Sequence, residues 1–173
     1  HSTQDAGGGG SLNLAHSAER VGKGRNVDAA TLSGVSGMAG GFIQAGSRRL
    51  YASSSTSEVS AAPGSGGAVS LNNASTLDGN VSNVASLALD NSRMTGDFTQ
   101  DALGSGILNL ANSAELIGNV RNVDAATLSS GPRMTGDFIQ PGSLRLDASS
   151  LTGNVSSAPG SSSAVSLNNA STL

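Results

Sequence analysis

The chain contains no cysteine and no tryptophan, one tyrosine, three phenylalanines and a single lysine. Without cysteine there is neither a disulfide framework nor a thiolate metal site. Such a composition is compatible with passage through an oxidising compartment, where stray thiols would form wrong bridges. Aromatic residues make up 2% of the 173 positions, which excludes a core assembled from large rings. Nine Lys and Arg stand against twelve Asp and Glu, for a net charge of −3. With no basic run among them, the electrostatic footprint of a nucleic-acid partner is missing. No apolar stretch reaches the 18 or more residues that a membrane-spanning helix needs. The chain opens at His1 without an initiator Met or a signal-peptide pattern, so it reads as a mature piece or an excised fragment. No segment keeps a 3.6-residue apolar period for three turns, so no helix is expected.

What is plentiful is glycine, 24 residues of it, together with serine and asparagine. That mixture signals a linker or a disordered tail unless the apolar residues are regularly spaced. They are. Sliding the sequence by 96 lays residues 1–77 on 97–173 without a gap, and 52 of the 77 positions are identical. "RNVDAATLS" (25–33) returns at 121–129, and "VSLNNASTL" (69–77) returns at 165–173. The domain reading is one unit over 1–173 made of about 1.8 copies, with a degenerate first copy (1–96) and a partial second copy (97–173).

A shorter period lies inside the long one. Gly79, Gly96, Gly118, Gly136 and Gly153 follow one another at gaps of 17, 22, 18 and 17 residues. Two positions before each glycine stand Leu77, Met94, Leu116, Met134 and Leu151. One position after it stand Asn80, Asp97, Asn119, Asp137 and Asn154, and two positions after it Val81, Phe98, Val120, Phe138 and Val155. Runs such as "SLALD" (86–90) and "SLRLD" (143–147) precede the glycine and alternate apolar with polar, the signature of a half-buried strand. A disordered chain has no reason to hold three parallel columns over five steps. Short strands at a spacing of about 19 residues predict an all-β parallel β-helix, one coil per step, with about nine rungs of 17–22 residues.

In that architecture equivalent residues stack about 4.8 Å apart. The Leu/Met and Val/Phe columns then fill a narrow interior, and the Asn/Asp column forms a polar ladder. The glycine marks a bend where successive backbones approach closely. Extra residues of the longer steps fall in "DALGSG" (101–106) and "APGSSS" (158–163), which the solenoid places in turns on one face. The first copy departs from the pattern at Arg20, Gly24, Arg48 and Ser55, where the second has Leu116, Val120, Leu144 and Leu151. Residues 1–60 are therefore expected to pack less regularly or to form an end region. Arg48, Arg49 and Tyr51 form the one Arg/Tyr cluster and are a candidate partner surface.

The rung pattern, clearest in "LALDNSRMTGDF" (87–98) and "LRLDASSLTGNV" (144–155), resembles the passenger domains of autotransporters, especially adhesins. The resemblance covers most of 69–173 and weakens through 1–60. It implies a right-handed β-helix shown on the bacterial outer surface, exported through a barrel that these residues do not contain.

Candidate chemistry is sparse. Asp97 and Asp137 sit in the repeating ladder, while Asp28 and Asp124, and Glu19 and Glu115, recur once per copy, as turn residues do. His1 and His16 are the only histidines, and Asn112 replaces His16 in the second copy. "GKGR" (22–25) lacks the phosphate-loop residues, and "GGGG" (7–10) lacks the Asp of calcium-binding glycine repeats. Thr95, Thr135 and Thr152 give only a broken column, short of an ice-binding array. Asn73, Asn80, Asn154 and Asn169 open N-x-S triplets that a Ser/Asn-rich chain produces by chance. The expectation is a non-enzymatic extracellular rod with no cofactor and no catalytic or metal site, acting in adhesion or cell–cell contact through surface glycans or neighbouring cells. The alternative is a filament subunit that self-associates through its solenoid ends. A polysaccharide-active enzyme is the remote alternative.

Overall fold

The computed structural model describes residues 2–3, 10–15, 19–21, 24–25, 27–34, 37–39, 42–43, 47–56, 58–61 and 66–173. Among these, all regular structure is β: 26 short strands and no helix. The strands fall into three parallel sheets of nine, nine and eight strands. Each coil contributes one strand to each sheet, as Ser86–Asp90, Arg93–Thr95 and Phe98–Thr99 illustrate. We call these the broad, middle and narrow sheets. The fold is a β-solenoid of about seven turns between incomplete coils, slightly fewer than the nine rungs that length alone implies. Nine strands at the parallel spacing give a rod of roughly 38 Å.

Register follows the sequence columns. In the middle sheet Leu77 pairs with Met94, Met94 with Leu116, Leu116 with Met134 and Met134 with Leu151. In the narrow sheet the order is Val59, Val81, Phe98, Val120, Phe138, Val155. Alternating medium and large side chains lets successive layers interdigitate, and Met94, Phe98, Leu116, Val120, Met134 and Phe138 are wholly buried. The broad sheet adds two inward columns, of which Leu71, Leu89, Leu110, Leu128 and Leu146 form the more uniform. Each coil thus needs only four or so apolar residues, each contributing about 1.5–3 kcal/mol on burial. Two per cent aromatic content suffices for that reason.

Strands from the first copy join the same sheets. Gly10–Leu14 pairs with Val27–Ser33 across a register shift between Gly10 and Ser11, and Val27–Ser33 pairs in turn with Ser47–Tyr51.

Backbone hydrogen bonding does not stop at the corners. Gly96 N–H donates to Ile117 O at 2.8 Å, Phe98 N–H to Asn119 O at 2.9 Å, and Gly118 N–H to Thr135 O at 2.9 Å. The middle-to-narrow corner is therefore stacked as tightly as the strands. Gly118 has φ 151°, and a β-carbon on it would lie 1.9 Å from the carbonyl oxygen of Gly96. Gly96, Gly136 and Gly153 are in the same position relative to the coil before them. The broad-to-middle corner turns instead through left-handed residues: one in the short corners at Ala52, Asn91 and Ala148, two in the long ones, as at Asn73–Ala74 and Asn112–Ser113.

Gly118→Ala combines a backbone region closed to L-residues with a carbonyl that cannot move without breaking the ladder. It should cost roughly 3 kcal/mol or more in chemical denaturation. Gly104→Ala, where φ is 65° and no atom lies within 4 Å of the added carbon, should cost only about 1 kcal/mol. Equal costs at the two sites would refute the close-approach account.

Candidate functional site

The polar side chains beside the glycine corner form one continuous ladder. Asn80 Oδ1 accepts the Asp97 N–H at 2.9 Å, Asp97 Oδ1 the Asn119 N–H at 2.8 Å, Asn119 Oδ1 the Asp137 N–H at 2.9 Å, and Asp137 Oδ1 the Asn154 N–H at 2.8 Å. Amide and carboxylate alternate, so carboxylates never occupy adjacent coils. Asp97 and Asp137 are each committed to a backbone amide, which is a structural use of an acidic group.

A second ladder runs along the broad-to-middle corner. Ser75 Oγ donates to Asn72 O at 2.6 Å and accepts the Ser53 N–H at 3.2 Å; Ser92 Oγ donates to Asp90 O at 2.9 Å and accepts the Ser75 N–H at 3.2 Å. Ser149 repeats the donation to Asp147 O at 2.7 Å. The buried hydroxyls satisfy both their own chain and the neighbouring coil, and Ala114 and Pro132 interrupt the column.

Of the other acidic groups, Glu115 lies 4.0 Å from the Arg93 guanidinium on the exposed middle sheet, a pair worth at most about 1 kcal/mol. Asp124 is exposed. Among the described residues no three His, Asp or Glu side chains cluster as metal ligands would. His1, His16, Gly7–Gly9 of "GGGG", Gly22 and Lys23 lie outside the described residues, as do the side chains of Glu19 and Asp28.

The Arg/Tyr cluster is divided by the pleat. Arg49 and Tyr51 face outward, but Arg48 is 1% exposed and points into the rod, so it is no part of a partner surface. Alternation along Ser47–Tyr51 puts positions 48 and 50 inward whatever occupies them. Arg48 Nη2 donates to Ser55 Oγ across the interior. These two residues stand where the second copy has Leu144 and Leu151. A leucine pair has become a hydrogen-bonded polar pair within one coil. Burial lowers the Arg48 guanidinium from its ordinary value to about 9, leaving it charged at neutral pH.

One feature the sequence reading missed is a polar column at the narrow-to-broad corner. Gln100 is 2% exposed and its Nε2 donates to Val84 O at 2.5 Å. The Gln100 Oε1 and the Asn122 Oδ1 on the next coil are buried with no donor among the described residues. The signal was present: Asn83, Gln100, Asn122 and Gln140 each fall two positions after the Val/Phe column. The loops at 101–106 and 158–163 leave this same corner. Between them Gln140, Pro141 and Gly142 floor a cleft of about 240 Å³, walled by Leu103, Gly104, Ala158 and Ser161–Ser163. Serines pin the loops: Ser105 Oγ donates to Ala102 O at 2.7 Å and Ser161 Oγ to Ala158 O at 2.6 Å.

Comparison of the chain with protein-family models, curated proteins and solved structures finds no match.

Two expectations follow from the ladders. Asn119→Ala removes an acceptor and should cost about 1 kcal/mol at any ionic strength. Asn119→Asp keeps the acceptor but places three carboxylates on consecutive coils, at roughly 1 kcal/mol of repulsion per neighbouring pair in water. Its cost should therefore fall sharply in 1 M salt, read as a denaturation midpoint. For the buried pair, Ser55→Leu alone should lower stability by about 1–3 kcal/mol by removing an acceptor of Arg48. Arg48→Leu with Ser55→Leu should raise it by about 1–4 kcal/mol. Because the folded pKa of Arg48 lies below the unfolded one, its burial penalty is fully present below pH 9 and eases above it. The advantage of the double variant should shrink correspondingly as pH rises past 9.

Proposed function

We propose that the chain is a non-enzymatic, extracellular structural or adhesive rod of the autotransporter passenger type. The carrying observation is how the side chains are spent: apolar columns inward, Asx and Ser ladders at the corners, and broad and middle faces offering mainly Ser, Thr, Asn and Ala. The described carboxylates of the ladder hold backbone amides rather than converging on a cleft. The rung pattern of 87–98 and 144–155, with its resemblance to adhesin passengers, supports placement on the bacterial outer surface in a right-handed helix.

On this reading contact is made by many weak interactions along the rod, with the loops at 101–106 and 158–163 as the projecting elements. Arg49 and Tyr51 remain exposed and contribute to the same outer surface. Glycans or neighbouring cells are the partners of this surface.

A filament subunit that self-associates through its solenoid ends is the second reading, since parallel strand edges can pair with further coils.

Electron microscopy over a concentration series, paired with glycan and cell binding, separates the two. The adhesive rod predicts isolated rods about 4 nm long at every concentration and saturable binding that falls when both loops are shortened to the tight corner of coil 120–125. Unbranched fibres with a repeat of about 4.8 Å would instead identify a filament subunit. Isolated rods that bind neither cells nor glycans would overturn the adhesive reading.

A further inference from the structure

The amide column at the narrow-to-broad corner has one member that the scaffold leaves unused. Gln100 Nε2 donates to Val84 O and Asn122 Nδ2 to Gln100 O, each reaching a carbonyl of the preceding coil. At Gln140 the carbonyl equivalent to Val84 O is Val123 O, and Gly142 N–H already donates to it at 2.9 Å. Among the described residues the Gln140 amide makes no hydrogen bond. It lies instead on the floor of the cleft between the loops at 101–106 and 158–163.

No residue lining this cleft carries a charge. Its backbone groups are largely committed: Pro141 O accepts Ser163 Oγ, and Gly142 O accepts the Ala164 N–H at 3.2 Å. What the cleft offers is apolar surface from Leu103 and Pro141, the Gln140 amide, and the Ser162 hydroxyl, which also has no partner among the described residues. The scaffold does not call for these side chains. Leu103 is 63% exposed, so it adds little to the core. By the 96-residue offset Leu103, Pro141 and Ser162 correspond to Gly7, Ala45 and Gly66, so the other copy has smaller residues at all three places.

We propose that this cleft binds one neutral pyranose unit of a surface glycan, an inference that rests on the adhesive reading above. Sugar hydroxyls both donate and accept, which suits the two ends of the free Gln140 amide, and Ser162 would take a further hydroxyl. The C–H face of the ring would lie on Leu103 and Pro141. An uncharged lining has no counter-charge for an acidic sugar. At about 240 Å³ the cleft is smaller than the roughly 300–1,000 Å³ of sites for drug-sized ligands, as a one-ring occupant requires. A peptide adding as a strand would need free backbone groups, and at this corner the coils already use them.

The test titrates the full 173-residue chain with the methyl glycosides of glucose, galactose, mannose and N-acetylglucosamine, read by saturation-transfer NMR. At least one should bind saturably, with a Kd on the order of 1 mM, because an open one-ring cleft makes few contacts. Leu103→Gly with Pro141→Ala installs the residues of the other copy and should weaken that binding by about tenfold or more, with the denaturation midpoint unchanged. Gln140→Ala should weaken it by about tenfold. Saturable binding by none of the four sugars would overturn the proposal, as would affinities that both variants leave intact. Tighter binding of N-acetyl-leucine amide than of any sugar would also overturn it, assigning the cleft to an apolar side chain of a peptide. Cell binding separates this failure from that of the adhesive reading. A chain that binds cells but none of the sugars rejects the cleft alone, and one that binds neither cells nor glycans rejects both.

Discussion

The constraint on which the rest depends is the fixed rise per coil set by parallel backbone hydrogen bonds that run through strands and corners alike. Once Gly96 N–H reaches Ile117 O and Gly118 N–H reaches Thr135 O, corner backbones are held at the same separation as strands. A side chain at that corner has nowhere to go, because the carbonyl of the preceding coil already occupies the place of its β-carbon. Glycine follows from the hydrogen bonding. The two apolar columns follow from glycine, since positions two before and two after a sharp bend both face the interior.

Fixed rise also dictates what polar residues do. An Asn or Asp just past the bend finds the next coil's amide within reach of its side-chain oxygen, and a Ser at the other corner finds both a carbonyl of its own chain and the amide of a neighbour. The alternation of Asn and Asp in the ladder is then an electrostatic requirement. Coils about 4.8 Å apart would bring carboxylates into mutual repulsion, and interposing an amide doubles their separation. Asp97 and Asp137, the acidic members of this ladder, are explained by the requirements of stacking.

Features that recur were legible in the sequence, and features that occur once were not. The Leu/Met, Gly, Asx and Val/Phe columns could be read because each repeats over five coils, and the pairing register matches them residue for residue. Arg48 was misplaced because residue type was weighed above alternation: the pleat of Ser47–Tyr51 sends position 48 inward, and charge does not change the direction of a side chain. Its partner Ser55 could have been found from the same comparison of copies, since the two departures from leucine lie in one coil. Gln100 and Asn122 escaped because amide residues in a polar-rich chain look unremarkable until their burial is known. The coil count ran slightly high because dividing length by period counts incomplete coils at the ends as whole ones.

The Arg48–Ser55 pair shows how such a rod tolerates change. Each coil touches only the coil on either side, so a substitution is felt within its own layer and the two flanking ones. A lone arginine replacing leucine would strand a charge in an apolar layer, but a serine seven residues on, facing it across the same coil, supplies an acceptor. The layer above keeps Val69 and Leu77 in their usual places against Arg48 and Ser55. Compensation inside one layer leaves the stack continuous, so a duplicated unit can diverge coil by coil while the backbone ladder persists. Outward-facing positions are coupled more weakly, as in the exposed Arg93–Glu115 pair between adjacent coils. The faces and loops can therefore vary more freely than the interior of the scaffold.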